Sequence, residues 1–227
     1  LKRTGKKYIV DYDDAIYTRY SSHPCFLIRW LLGKKIDKVI ANASAVTVAN
    51  TCLLAYVSAI NSKVCLLPTV VSAARYDSEP APDHTDHFTA GWIGSPTSAR
   101  YLISRESVFR ELRKKGIRIA LIGLGRKERQ SLGASGCDII EWNESTEISE
   151  IKKFNVGIMP LSDDDWSKGK SGFKLVQYMA CRLPVVASPV GANLEIVDEG
   201  ETGLLAKTTE EWERAVLFLA ENPEAAA

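Results

Sequence analysis

From Thr89 to Ala206 the chain alternates short apolar runs with amphipathic stretches, and this alternation limits its fold more than any other feature. The runs at 89–93, 117–122, 138–141, 156–159, 184–188 and 203–206 predict the short strands of a sheet. Helices are predicted between them. One covers 98–115 and ends at Gly116, and one covers 127–132 and ends at Gly133. Further helices are expected at 146–154, opening with a capping pattern, at 173–181, and at 192–198, ending near Gly200. A last helix starts at Thr209, with Glu210 and Glu211 in the first turn, where the helix dipole favours acids. Six strands joined by helices predict a doubly wound α/β domain.

The same grammar occurs earlier in the chain. Apolar runs at 7–11, 37–41, 45–49 and 63–67 predict strands, and 24–32 and 51–60 predict helices, the second capped by Thr51. Between 72 and 87 the periodicity stops and prolines and turn residues take over, which marks a linker. The expected organisation is a partial Rossmann-like domain over 1–72, a linker over 73–87 and a complete Rossmann-like domain over 88–227. Two facing α/β domains imply a cleft. Ligands of open sheets bind at strand carboxyl ends, so the loops after Ile93, Gly123, Met159 and Ser188 are expected to share one ligand face.

Composition removes several classes of function. With 45% hydrophobic and 25% charged residues, the chain can bury a core without metal or disulfide support. A net charge of +1 leaves no global field to recruit nucleic acid, so any polyanion site must be local. Five cysteines stand apart with no C-x-x-C pair, and four lie in apolar runs where a thiol acts as a small hydrophobe. A reducing, cytoplasmic location is expected. No apolar run reaches the ~18 residues of a membrane span.

Three segments carry candidate chemistry. In Gly91-Trp-Ile-Gly-Ser-Pro96, two glycines and a serine follow a strand, and a helix expected near Thr97 would offer backbone N–H groups to a phosphate. A glycine turn is also ordinary strand-to-helix construction, and the third glycine of the dinucleotide fingerprint is missing. Gly123-Leu-Gly-Arg126 is a second such turn with the same two readings. The richest loop is Asp163-Asp-Asp-Trp-Ser-Lys-Gly-Lys-Ser-Gly-Phe-Lys174, with three aspartates, three lysines, two glycines and a tryptophan. Lys174 opens a helix one turn before Gln177, so an ammonium and helix N–H groups could together neutralise a diphosphate. The aspartates suit solvation better than a metal ion, because successive residues on a loop rarely converge. His84-x-x-His87 is an isolated pair without further ligands.

The run from Gly157 to Gly191, including Lys168-Gly-Lys-Ser-Gly-Phe-Lys174 and Pro184-Val-Val-Ala-Ser-Pro-Val-Gly191, closely resembles the donor-binding segment of group 1 glycosyltransferases. Further matches are Gly91–Pro96, Asn193-Leu-Glu-Ile-Val197, Gly203-Leu-Leu-Ala206, Glu211-Trp212, Tyr12-Asp-Asp-Ala-Ile-Tyr17 and Leu67-Pro-Thr-Val-Val71. The resemblance implies the GT-B architecture, two Rossmann-like domains, and transfer of a sugar from a nucleoside-diphosphate sugar, usually with retention. Lys174 then corresponds to the diphosphate-binding lysine. Gln177 falls where the family places the second glutamate of its E-x7-E motif, which holds the donor ribose, and glycine-rich sequence around Gly169 replaces the first. The family's arginine–lysine phosphate pair is not evident, which leaves Gly94, Ser95, Lys168 and Lys170 as substitutes. Asp13 and Asp14, the catalytic candidates, match an acidic cluster that one branch of the family carries on the acceptor side, and helix capping or a strand-end turn is their bland alternative.

The resemblance implies no metal and no cofactor, the nucleotide sugar being a substrate. The implied partners are that donor and a glycan, lipid or small-molecule acceptor, with peripheral membrane contact left open and no nucleic acid. Family members run longer on both sides, so the chain is expected to be truncated and to expose an apolar sheet edge. Other readings are an inactive donor-binding fragment, a nucleotide-sugar epimerase, or an interaction protein using Arg29-Trp-Leu-Leu-Gly-Lys-Lys35. The last segment reads better as a helix end packed into the core.

Overall fold

The computed structural model describes residues 5–77 and 87–222. The chain forms two compact units. The first runs to Val70 and takes in Asp163–Phe173 and Val190–Ala192, and the second holds the remainder. Most of the expected linker, including His84, lies outside the described residues. Its first part is a helix, Ala73–Asp77, in which Tyr76 is buried. A single large apolar ring therefore anchors a stretch that has no periodicity to reveal it.

In the first unit β1 (Ile9–Tyr12), β2 (Ala45–Val48) and β3 (Val64–Leu66) form a parallel sheet in the order β1-β2-β3. Its core gathers Ile36, Ile40, Val46, Val48, Leu53 and Val57. Two of these correct the sequence reading, because 37–41 belongs to the helix Lys35–Ala41 and is not a strand. Ile36 and Ile40, four residues apart, are its buried residues, so the period is helical although Val39-Ile-Ala41 looks strand-like. The helix Thr51–Ser58 is capped by Asn50, whose side chain accepts the Leu53 N–H, and not by Thr51.

The helix Phe26–Leu32 corrects a second expectation. It buries no residue, and Phe26, Leu27, Trp30 and Leu31 are all exposed, so this segment is not a core-packing helix end. Cys25, Cys52 and Cys65 are exposed as well, and only Cys137 and Cys181 behave as small buried hydrophobes. Burial pushes those two thiols up to about 11.

In the second unit β4 (Thr89–Ile93), β5 (Arg118–Ile122), β6 (Asp138–Ile140), β7 (Val156–Met159), β8 (Val185–Ala187) and β9 (Gly203–Leu205) form one parallel sheet. The order is β6-β5-β4-β7-β8-β9, the doubly wound arrangement in which the winding reverses between β4 and β7. Every residue of β4, β7 and β8 is buried, as continuous apolar runs require. The stretch expected as one helix over 98–115 is two, Arg100–Ile103 and Glu106–Lys114. At the break the Ser104 hydroxyl bonds back to the Tyr101 carbonyl, and Arg105 reaches the Lys207 carbonyl. The final helix, Thr209–Glu221, has a full capping box between Thr208 and Glu211. Among the described residues, no helix is long and apolar enough to cross a membrane.

Candidate functional site

The pairing of β4 with β7 stops after Ala90–Val156 and Gly91–Gly157. Beyond that point the Ile93 N–H would be orphaned, and a buried phenol takes it instead. Tyr178 Oη accepts from Ile93 N at 3.0 Å and donates to the Ile158 carbonyl at 3.4 Å. The fully buried Tyr178 therefore bridges β4 and β7 where their pairing ends, at the switch point where open α/β sheets take ligands. Its phenol titrates far above the ordinary tyrosine range because burial disfavours the anion.

Gly94 follows β4 at this point. Its N–H donates to the Ile122 carbonyl at 3.1 Å, the Ser95 N–H donates to Ser98 Oγ at 3.2 Å, and the Ser98 and Ala99 N–H groups fold back onto Ser95 and Pro96. The Gly94, Ser95, Ser98 and Ala99 amides are thus engaged within the turn and its neighbouring strand. What Gly94 offers is space. A Cβ there would lie 2.4 Å from the Trp92 ring and 2.8 Å from Lys174 Cε, so the lysine stem runs directly across the glycine. Gly123, with φ of +84°, packs its α-carbon against the Gly94 carbonyl, where a Cβ would approach to 2.1 Å. The second glycine turn is accounted for by this backbone contact.

Lys174 stands in the first turn of the helix Phe173–Ala180, after Gly172 at φ +73°. Its Nζ lies 5.6 Å from the Trp92 ring centroid. The first N–H groups of any helix lack intrahelical partners, so an ammonium and a positive helix end share one position at the carboxyl end of β4. Gln177 is one turn further along and 5% exposed. Its Nε2 donates to Glu147 Oε1 at 3.0 Å and to Tyr76 Oη at 3.2 Å. The other carboxylate oxygen of Glu147 accepts the Trp142 indole N–H at 2.6 Å. Sequence reasoning misses Glu147 and Tyr76. The only signal for Glu147 is its place in a helix-capping pattern.

The remaining candidates lie in the first unit. Asp14 is half-buried, with Oδ1 3.7 Å from Lys170 Nζ, whereas Asp13 is exposed. Lys168 Nζ pairs with Asp163 at 3.0 Å, and Asp164 caps the short helix Asp165–Lys168 through the Ser167 N–H. Two of the three loop aspartates therefore have structural roles. Among the described residues, no group of three or more His, Cys, Asp or Glu side chains could hold a metal ion. Arg19 and Lys170 both approach the Trp166 ring, with charged groups 4.9 and 5.5 Å from its centroid. Gly169 has to be glycine, because a Cβ would come within 2.3 Å of Ala15.

Asn50 is the other missed residue. It is 1% exposed and donates from Nδ2 to the carbonyls of Lys168 and Lys170, at 3.3 and 2.8 Å, while capping its helix. Asn50→Asp separates these duties, since aspartate keeps the cap but cannot donate to the two carbonyls. We expect it to destabilise the protein by about 1–2 kcal/mol despite the better cap charge. Urea unfolding measures this, and an unchanged midpoint would show that the carbonyl clamp carries no energy.

Residues 88–222 match the family model for glycosyl transferases group 1. Among solved structures, HepE of Anabaena, in complex with UDP and glucose, is similar over 97% of this chain and 64% of its own, with TM-score 0.72 at 12% identity. A glycosyltransferase from Rickettsia africae is similar over 98% of this chain and 62% of its own, with TM-score 0.68 at 12% identity. A probable sucrose-phosphate synthase of Thermosipho melanesiensis is 40% identical over 53 residues, which is 23% of this chain and 12% of that protein. The chain thus spans somewhat under two thirds of the length of these two structures.

Proposed function

The chain belongs to the group 1 glycosyl transferases, and on that premise we propose that it binds a nucleoside-diphosphate sugar for transfer, with retention, to a glycan, lipid or small-molecule acceptor. The observation that carries this reading is the position of Lys174. Its stem crosses Gly94 at the switch point, and its charge stands at the start of a helix.

In the reaction the bond between the anomeric carbon and the diphosphate oxygen breaks, the electron pair leaves with the diphosphate, and an acceptor hydroxyl oxygen bonds to the same face of that carbon while its proton passes to the departing diphosphate. The sugar gains oxocarbenium character as this happens. Lys174 and the N–H groups of the helix start stabilise the departing charge, and preorganised groups of this kind lower a barrier more than flexible ones. Gln177 meets the nucleotide ribose. Gly94 and Ser95 leave room for the diphosphate, and the Ser95 hydroxyl, now bonded to Thr97 Oγ1 at 2.8 Å, can turn toward it. Lys168 and Lys170 have a lesser part in phosphate binding, since each must first leave its carboxylate. Asp13 and Asp14 serve the acceptor side.

A thermal-shift panel with UDP, GDP and ADP tests the reading. A ligand present at 100 times its Kd stabilises the folded state by about 2.7 kcal/mol, so one of the three should raise the melting temperature by several degrees. If none does, the donor-binding assignment fails.

A further inference from the structure

We propose that Glu147 and Tyr76 are positioning residues that lock the Gln177 amide in one orientation, with its carbonyl oxygen left to accept a hydrogen bond from a ligand hydroxyl. The proposal rests on the reading of Gln177 as the residue that meets the nucleotide, and it adds the polarity of that contact and the groups that set it.

An amide side chain can usually turn over, because its oxygen and nitrogen ends are alike in shape and opposite in hydrogen-bonding character. Here it cannot. An ionised carboxylate only accepts, so the side facing Glu147 Oε1 must be the NH₂ group. The second N–H of that group goes to Tyr76 Oη. Both donors are therefore spent inside the protein, and among the described residues no donor reaches Gln177 Oε1. Glu147 itself is fixed at both oxygens, by Gln177 on one side and by the Trp142 indole on the other. Burial raises the Tyr76 phenol above its ordinary range, which keeps its oxygen a neutral acceptor.

The result is an uncharged acceptor where a glutamate would bring a charged one. A carboxylate at 177 would face the carboxylate at 147 across about a hydrogen-bond distance, with no proton between them. The network explains why glutamine occupies this position. Glu147 already holds the negative charge, and Gln177 passes on its accepting character without repeating the charge.

The test is a pair of single variants and their exchange, in the full chain. Gln177→Glu and Glu147→Gln should each weaken UDP binding about tenfold by calorimetry, the loss expected when one hydrogen bond is broken or reversed. The double variant, in which the two residues trade places, restores one donor between two acceptors and should recover most of the affinity. Urea unfolding of the same variants without nucleotide reads the lock alone, with each single variant destabilised and the exchange restored. A double variant no better than the worse single in both measurements overturns the proposal, as does wild-type affinity in Gln177→Glu. Restored stability with no UDP binding in any form, wild type included, supports the lock and removes the ligand reading on which the rest stands.

Discussion

Gly157→Ala should unfold at a temperature roughly 10 °C below the unchanged protein. Gly157 and Gly91 face each other in register across β7 and β4, where the sheet winding reverses. Each lies beneath an aromatic ring. A Cβ on Gly157 would sit 2.3 Å from the Tyr178 ring, and one on Gly91 would sit 2.0 Å from the Phe154 ring. A flexible side chain would move aside at little cost, but Tyr178 is fully buried and its hydroxyl is held between Ile93 N and the Ile158 carbonyl. Displacing it adds the overpacking penalty to the loss of a partner for a buried N–H, in all roughly 3–5 kcal/mol. Differential scanning calorimetry measures the shift. A second variant, Gly157→Ala with Tyr178→Leu, removes the clash and should regain part of the stability although Ile93 N–H stays unpaired. A melting temperature within 2 or 3 °C of the unchanged protein in the single variant, about one kcal/mol or less, would show that the ring is not locked.

These two glycines also show how far the sequence can be read. Their position inside apolar runs is visible, and so are the runs themselves, because strands covered on both faces leave an unbroken apolar signature. The α/β class and the buried strands β4, β7 and β8 follow from that signature, whereas β6 carries an exposed aspartate and two half-buried isoleucines. The failures have a common cause, which is that local pattern does not reveal a distant partner. Segment 37–41 reads as a strand because Ile36, the residue that completes the helical period with Ile40, stands just outside the apolar run. Asn50 and Thr51 are both good caps by composition, and the choice falls to Asn50, which also has the loop carbonyls of Lys168 and Lys170 to satisfy. At the site, Lys174 is legible as an ammonium at an expected helix start, whereas the role of Gln177 comes only through the resemblance to a family. Glu147 and Tyr76 do not emerge at all, being 30 and 101 residues from Gln177. The glycine turn at Gly94 suggests open amides, whereas the structure gives the Gly94 and Ser95 amides partners and makes the turn a gap for a lysine stem.

Because that gap admits a cation, Lys174→Ala is expected to cost more binding than any other single change. Bonds from a charged donor to phosphate contribute about 1.5–3 kcal/mol, so the Kd for UDP should rise roughly 10- to 150-fold. At 100 times the unchanged Kd, the stabilisation by ligand would then fall from about 2.7 kcal/mol to about 0.3–1.4 kcal/mol. Urea unfolding of the same variant without ligand measures its structural share, to which the cation–π interaction with Trp92 at 5.6 Å brings about 0.5–1 kcal/mol when partly exposed. That contrast separates a binding role from a structural one. Lys174→Arg refines it further. The guanidinium keeps the charge, but it is broader than the ammonium, and the stem must still cross Gly94 against the Trp92 ring. Arginine should therefore restore part of the affinity and not all of it. If alanine at 174 leaves the UDP-induced shift intact, the charge at the switch point is not what holds the diphosphate, and the helix start with its backbone N–H groups must do so alone.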